Sequence, residues 1–181
     1  MSILYKVNMF LKYGYKRNYG DVLGSSGKVE IGNNVFIGAE VTLLKGTKIN
    51  DNVIIGAGSL VTGEIPANSV AVGRPAKVVM SLDDFYNKRK ENQEKEAEEL
   101  FYAYYKRYHK IPSMNVFREY IFLFKNDYDK LNDDLKDVFK RGGMAFMDKS
   151  ISAYKNYSFK YESFDAFINH CKDMFGVKDN E

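Results

Sequence analysis

The chain is short of the residues that staple, break or activate small folds. Its 181 residues include one cysteine, Cys171, three prolines and no tryptophan. A single cysteine excludes an internal disulfide and fits a reducing compartment. Histidine is equally scarce, with His109 and His170 the whole supply. No run approaches the roughly eighteen apolar residues of a spanning helix. The first twenty residues also lack the apolar core of a signal peptide. These absences predict a soluble cytoplasmic protein with no transmembrane segment. Charge of one sign is lacking too: the net charge is +3, too small to imply nucleic acid or membrane binding. No cluster of histidine, cysteine and carboxylate has ligand spacing, so no metal is expected.

What is present is unevenly spread. Eleven of the 14 glycines precede residue 80, and most of the phenylalanine and tyrosine follows it. Between residues 31 and 66 a pattern recurs every six residues. Ile31, Ile37, Leu43, Ile49, Ile55 and Val61 form one series. Four residues after each come Val35, Val41, Thr47, Val53, Ser59 and Ile65, small or β-branched. A period of six fits a helix poorly but holds three strand steps, so each block reads as a short strand plus a corner. Asn33, Asn34, Asn50, Asp51 and Asn52 supply residues that tolerate the positive φ of a corner. Such blocks cannot bury their apolar side alone and must stack, which predicts a β-solenoid. Each inward aliphatic side chain would stabilise it by roughly 1.5–3 kcal/mol.

The flanks differ. Residues 1–24 lack the period and read as an irregular N-terminal segment. Tyr13, Tyr15 and Tyr19 alternate there with Lys12, Lys16 and Arg17, which reads as a packed loop with snorkelling cations rather than a nucleic-acid or sugar contact. The solenoid and its end cap span 25–80, with Val29 already in an inward slot and Pro66 and Asn68 stopping the period. Residues 81–181 read as helical. Ser81 and Asp84 resemble a capping box opening a long helix to about Lys110. The mixed charges from Lys88 to Glu99 predict a solvated face. A second helix is expected over 114–127 with Phe117, Ile121 and Phe124 inward, a third from Asp127 to Gly142, and a last over 162–176. Residues 149–161 are ambiguous.

The run "IGNNVFIGAEVTLLKGTKINDNVIIGAGSLVTGEIPANSVAVGRPAKVVM" resembles the C-terminal coils of the hexapeptide-repeat acyltransferases. Its lead-in and tail look like those of sugar and capsular polysaccharide O-acetyltransferases. The resemblance implies a left-handed parallel β-helix, assembly as a homotrimer, and acetyl-CoA lying in a groove between two solenoids. On it, Gly38, Ala39, Gly56 and Ala57 would let the pantetheine arm approach. Pro75 and Ala76 would meet adenine, Arg74 and Lys77 would lie near phosphates, and Phe36 would border the acceptor pocket.

The family's catalytic histidine is not found: no histidine precedes His109. The catalytic residue is therefore unknown, and the chain resembles an N-terminally short relative. Glu30, Glu40 and Asp21 are carboxylates nearer the expected groove, and Cys171 has no recognisable partner for nucleophilic work. Three functions follow. The first is acetyl transfer from acetyl-CoA to a sugar or polysaccharide hydroxyl. The second is a non-catalytic trimeric CoA-binding or scaffold module. The third is N-acetylation of an amino sugar, whose amine arrives deprotonated and needs less help from a base.

Overall fold

The computed structural model describes residues 2–6, 19–20, 26–141 and 144–178. Asp21 and the basic-aromatic residues 12–17 lie outside them. The chain divides into two compact units, Met1–Arg89 and Lys90–Glu181.

In the first unit, short strands follow one another around three parallel ladders. β1 is Ser2–Lys6, β2 Ser26–Ile31, β3 Phe36–Ile37, β4 Thr42–Leu43, β5 Lys48–Ile49, β6 Val53–Ile55, β7 Leu60–Val61, β8 Glu64–Ile65, β9 Ser69–Val72 and β10 Lys77–Ser81. β5 joins β2 and β8 in one ladder, β6 joins β3 and β9 in the second, and β4 pairs β7 in the third. Successive strands move from ladder to ladder, so the backbone is a coil of stacked parallel turns. Glu30 faces Lys48, Phe36 faces Ile54 and Thr42 faces Leu60, each eighteen positions on. Backbone hydrogen bonds repeat the step, from Gly32 N to Ile49 O, Gly38 N to Ile55 O and Thr42 N to Ser59 O, all 2.8 Å.

Each corner uses a backbone that L-residues seldom adopt. Asn34, Asn52 and Asn68 have φ of 53°, 57° and 56° and stack on one corner. Their amides form a ladder: Asn34 Nδ2 donates to Asn52 Oδ1 at 3.1 Å, and Asn52 Nδ2 to Asn68 Oδ1 at 3.0 Å. Asparagine suits this place because its short polar side chain tolerates the left-handed region. Inside the coil, Ile49, Val53, Ile55, Val61 and Ala71 are buried and pack together. The turn holding Ile31, Val35, Ile37, Val41 and Leu43 is only partly buried or exposed.

Three sequence expectations need correction. Ile65 is not in the four-on series; it pairs with Ile49 and continues the six-spaced one. Thr62 and Gly63 do in two residues what Leu44 to Thr47 do in four, so the second turn is two residues shorter on this ladder and the next. Pro66 and Asn68 do not end the stack either, because β9 adds a further strand before β10 returns antiparallel to it. Finally, Ser2–Lys6 is a strand rather than irregular, pairing antiparallel with β2. An antiparallel edge strand carries no six-residue signature.

Ser81 opens the long helix α1, Leu82–Tyr108, through the expected box. Asp84 N donates to Ser81 Oγ at 3.0 Å, and Ser81 Oγ donates to Asp84 Oδ2 at 2.6 Å. The second unit holds the rest of α1, α2 (Asp133–Lys140), α3 (Met144–Lys155) and α4 (Phe164–Phe175). Met114–Leu123 forms 3₁₀ turns broken at Phe117 and Tyr120, not the α-helix expected over 114–127. The reason is packing. Phe117 and Phe124 enter a core with Ala97, Phe101 and Phe167, whereas Ile121 enters a second core with Leu135, Phe139 and Tyr154. An α-helix would put residues 117, 121 and 124 on one face. The third expected helix is split, because Asn132 accepts from Leu135 N and starts α2 afresh after a 3₁₀ turn at Tyr128–Lys130. α3 covers part of the ambiguous stretch. Ser163 caps α4, and Gly176 ends it at φ 64°.

The charged face of α1 is not wholly solvated. Glu94 accepts from the Tyr161 hydroxyl at 2.6 Å and pairs with Lys160, and Glu98 lies 2.8 Å from His170 Nε2. Burial alone would raise the Glu94 carboxyl. The hydrogen bonds from Lys160 and Tyr161 outweigh it and leave the group below its ordinary value.

Three outcomes follow. A Cβ on Gly38 would stand 2.5 Å from Ala57 N, while one at Gly46 meets nothing within 4 Å but sits at φ 80°. In urea unfolding, Gly38→Ala should cost about 1–3 kcal/mol and Gly46→Ala about 1–2 kcal/mol; no loss at Gly38 would refute the close stacking. Asn52→Ala should cost more than Asn52→Gly, since glycine relieves the φ while both lose the ladder. Lastly, a carboxyl with a lowered folded pKa contributes stability above about pH 4.3, its unfolded value, that is lost as pH falls through the folded value. Glu94→Gln should flatten that part of the acid loss, measured by unfolding at a series of pH values.

Candidate functional site

The small residues singled out in the sequence come together on one corner of the coil. Gly38 lies directly against Gly56 and Ala57 of the following turn. Gly58 N donates to Ala39 O at 2.8 Å. On the other side, Leu60 N donates to Gly73 O at 3.0 Å and Ala76 N to Leu60 O at 2.8 Å. Arg74 Nε donates to Gly58 O at 2.7 Å. Residues 38–39, 56–58 and 73–76 therefore form one continuous column. Buried Ser59 stitches it, donating to Gly56 O at 2.6 Å and accepting from Gly73 N at 3.2 Å.

Geometry explains why these residues are small. A Cβ on Gly38 would press on the backbone of Ala57, so the stacking requires that glycine, whereas one on Gly56 would meet the exposed Val72 side chain, with Cγ1 at 2.6 Å. Ala39 and Ala57 are exposed beside them. Arg74, Pro75 and Lys77 are exposed, whereas Ala76 is partly buried and packs on the coil's apolar core. With Nε held by Gly58, the Arg74 guanidinium has its position along the column fixed. Phe36 lies on the β3 strand that leads into this corner and is 64% exposed.

The neighbouring face has the opposite character. Glu30, Lys48 and Glu64 line up outward, with Lys48 Nζ 2.9 Å from Glu64 Oε1 and Asn50 Nδ2 donating to the same oxygen at 2.9 Å. These residues, with Gly32 and Asp51, border a shallow depression of about 460 Å³. It lies away from the small-residue column, which the resemblance implies for the cofactor. Lys28 holds Glu30 below the ordinary carboxylate range, and Asn50 followed by Lys48 does the same for Glu64. A carboxylate held low is a weak general base. Glu40 occupies a corner position at φ 59°, beside Gly58 in the next turn.

Both histidines belong to the second unit. His109 ends α1 at φ 52°, and His170 pairs with Glu98. Burial, aided by Glu98 and Glu94, pushes the Cys171 thiol up to about 12, so it is no nucleophile at neutral pH. Sequence reasoning missed the grouping of Glu94, Glu98 and His170, whose ligand atoms lie within 4.8 Å of one another. A signal was available: residues 94 and 98 fall on the same helical stripe as buried Ala97 and Phe101. No described helix is long and apolar enough to cross a membrane.

The family model for bacterial transferase hexapeptide, six repeats, matches residues 28–63. A putative acetyltransferase of Staphylococcus aureus (strain Mu50) is 44% identical over 70 residues, 39% of this chain and 34% of that protein. The galactoside O-acetyltransferase of Escherichia coli (strain K12) is 50% identical over 56 residues, 31% of this chain and 28% of that one. The chain thus spans about a third of these relatives' length. Among solved structures, a galactoside acetyltransferase in complex with coenzyme A is 35% identical, covering 46% of this chain and 38% of that chain at a TM-score of 0.35. The stacked turns built from the six-residue series therefore match the hexapeptide repeat of the bacterial transferases over residues 28–63, and the chain is similar over part of its length to a putative acetyltransferase and a galactoside O-acetyltransferase.

Proposed function

We propose that the chain is an acetyltransferase that moves an acetyl group from acetyl-CoA to a hydroxyl of a sugar or polysaccharide. One observation carries this reading: residues 38–39, 56–58 and 73–76 stack into one column that begins within the matched repeat of residues 28–63, in a chain 44–50% identical to acetyltransferases over 56 to 70 residues. A long cofactor needs a long edge with few side chains. Gly38, Ala39, Gly56 and Ala57 supply it, since small residues let the pantetheine arm lie close along the backbone. Arg74 and Lys77 at its end meet phosphates with fixed and mobile positive charge respectively. Pro75 and Ala76 offer a flat apolar surface to adenine. Phe36, at the entrance to the corner, gives the acceptor an aromatic wall.

The coil is a left-handed parallel β-helix in this reading, and three copies assemble with grooves between them. Exposed Phe36, Ile37, Leu44, Val72, Val78 and Val79 supply apolar area for that contact. The single buried thiol suits the reducing cytoplasm.

In the reaction, the acceptor oxygen attacks the thioester carbonyl and forms the O–C bond. The C–S bond breaks, CoA leaves as thiolate, and the acceptor's proton goes to a base. The coil has no histidine to be that base, and Glu30 and Glu64 are held low. This observation favours a second reading, a trimeric CoA-binding module without catalysis. An amino sugar, which brings its own unprotonated nitrogen, is the third.

Mass spectrometry after incubation with acetyl-CoA and a panel of galactosides, polysaccharides and amino sugars separates the three. O-acetylated product supports the first, N-acetylated product alone the third, and CoA binding without product the second. Calorimetry should show CoA binding that weakens about tenfold in Arg74→Ala, as expected for a charge-assisted contact worth about 1.5–3 kcal/mol. No binding at millimolar CoA, or a chain that sediments as a 20.8 kDa monomer, would sink the groove.

A further inference from the structure

We propose that Glu94, Glu98 and His170 form a binding site for a divalent transition-metal ion in the second unit, independent of the acetyltransferase reading. Glu94 and Glu98 are four residues apart on α1 and so share a face. His170 comes from α4, 72 positions beyond Glu98, with Nε2 turned inward to 2.8 Å from Glu98 Oε1. One ligand atom from each of the three lies within 4.8 Å of the others. Two ligands each about 2.1 Å from a zinc ion stand about 3–3.4 Å apart. The His170–Glu98 pair would open by only a few tenths of an ångström to admit one.

The donor set is one imidazole nitrogen and two carboxylates. That mixture suits zinc or manganese rather than the all-oxygen shell of calcium or magnesium. The surroundings are those of a held ligand. Tyr161 donates to Glu94 Oε1 at 2.6 Å, and Lys160 pairs with the other oxygen. Each carboxylate oxygen keeps a further lone pair, and such outer partners orient ligating carboxylates. The Glu98 side chain is 14% exposed and that of His170 38%, so the group is half-sheltered yet open to an entering ion. The ion would take the place of the hydrogen bond between His170 and Glu98 and would tie α4 to α1. Lys160 works against it, because its ammonium already neutralises part of the charge on Glu94.

That opposition makes the test specific. Metal-free full-length protein is titrated with Zn²⁺ by calorimetry and with Co²⁺ by visible absorption, with helix content followed by circular dichroism. The site predicts one ion per chain. Binding should fall at least tenfold in His170→Ala and Glu98→Gln, stay unchanged in His109→Ala, and tighten in Lys160→Ala. The Co²⁺ bands should vanish with His170. Lys160→Ala and Glu94→Gln alter the group without touching His170, so they decide the matter if His170→Ala loses helix content. Lack of saturable binding up to millimolar Zn²⁺ overturns the proposal. So does binding that follows His109, or binding that Lys160→Ala weakens, since removing a cation beside a ligating carboxylate must favour an entering one.

Discussion

Stacking in register is the constraint on which the first unit rests. A chain that coils in three short strands must turn every few residues and then meet its own backbone one turn later. Asn34, Asn52 and Asn68 satisfy both demands, since each takes the positive φ of the corner and passes an amide hydrogen bond to the next. A slip of one residue would turn the ladder over and move Ile49, Val53, Ile55 and Val61 from inside to outside. Because the slip costs all of these at once, the register is held cooperatively. Amide ladder and aliphatic interior thus enforce the same alignment from opposite sides of the backbone.

This explains why the coil was legible and where reading failed. Six-residue spacing is a local property, and the turns that stack are neighbours in sequence, so pattern and structure coincide. The exception is instructive. Ile65 satisfies two patterns, four after Val61 and sixteen after Ile49, and only the pairing with Ile49 shows which one the backbone follows. Gly63, at φ 75°, makes the shortened corner feasible. In the second unit the contacts are long-range. Nothing local says that Phe117 and Ile121 enter different cores, and so the expected α-helix became broken 3₁₀ turns. Helix starts, in contrast, were readable at Ser81, where the capping signal lies within three residues.

The column of small residues shows how one requirement can serve two ends. Gly38 has no room for a Cβ because the backbone of the next turn lies against it, whereas one on Gly56 would meet the Val72 side chain. Stacking thus accounts for Gly38, and the same small residues leave the outer edge of the column open. Arg74 is the more telling residue. Its Nε donates to Gly58 O, which ties two turns together and sets the guanidinium at the end of the column. The sequence could nominate these residues only through the resemblance. Their convergence needed the stacking of three successive turns.

Charge is arranged differently in the two units, and this bears on where chemistry can occur. On the coil, Glu30, Lys48 and Glu64 alternate in sign along an exposed face. Each carboxylate is satisfied by a neighbour, and solvent screens what remains. Such a face keeps its carboxylates ionised beside their cations. In the helical unit, Glu94, Glu98, Tyr161 and His170 are partly withdrawn from water. There the Tyr161 hydroxyl and the Cys171 thiol are both pushed up by burial and by the nearby carboxylates. A group that resists losing its proton is a poor nucleophile but a dependable donor, and a negative site of this kind is stabilised by positive charge. The coil thus carries its paired charges on an open, solvent-screened face, and the helical unit holds its carboxylates beside a half-sheltered tyrosine and histidine.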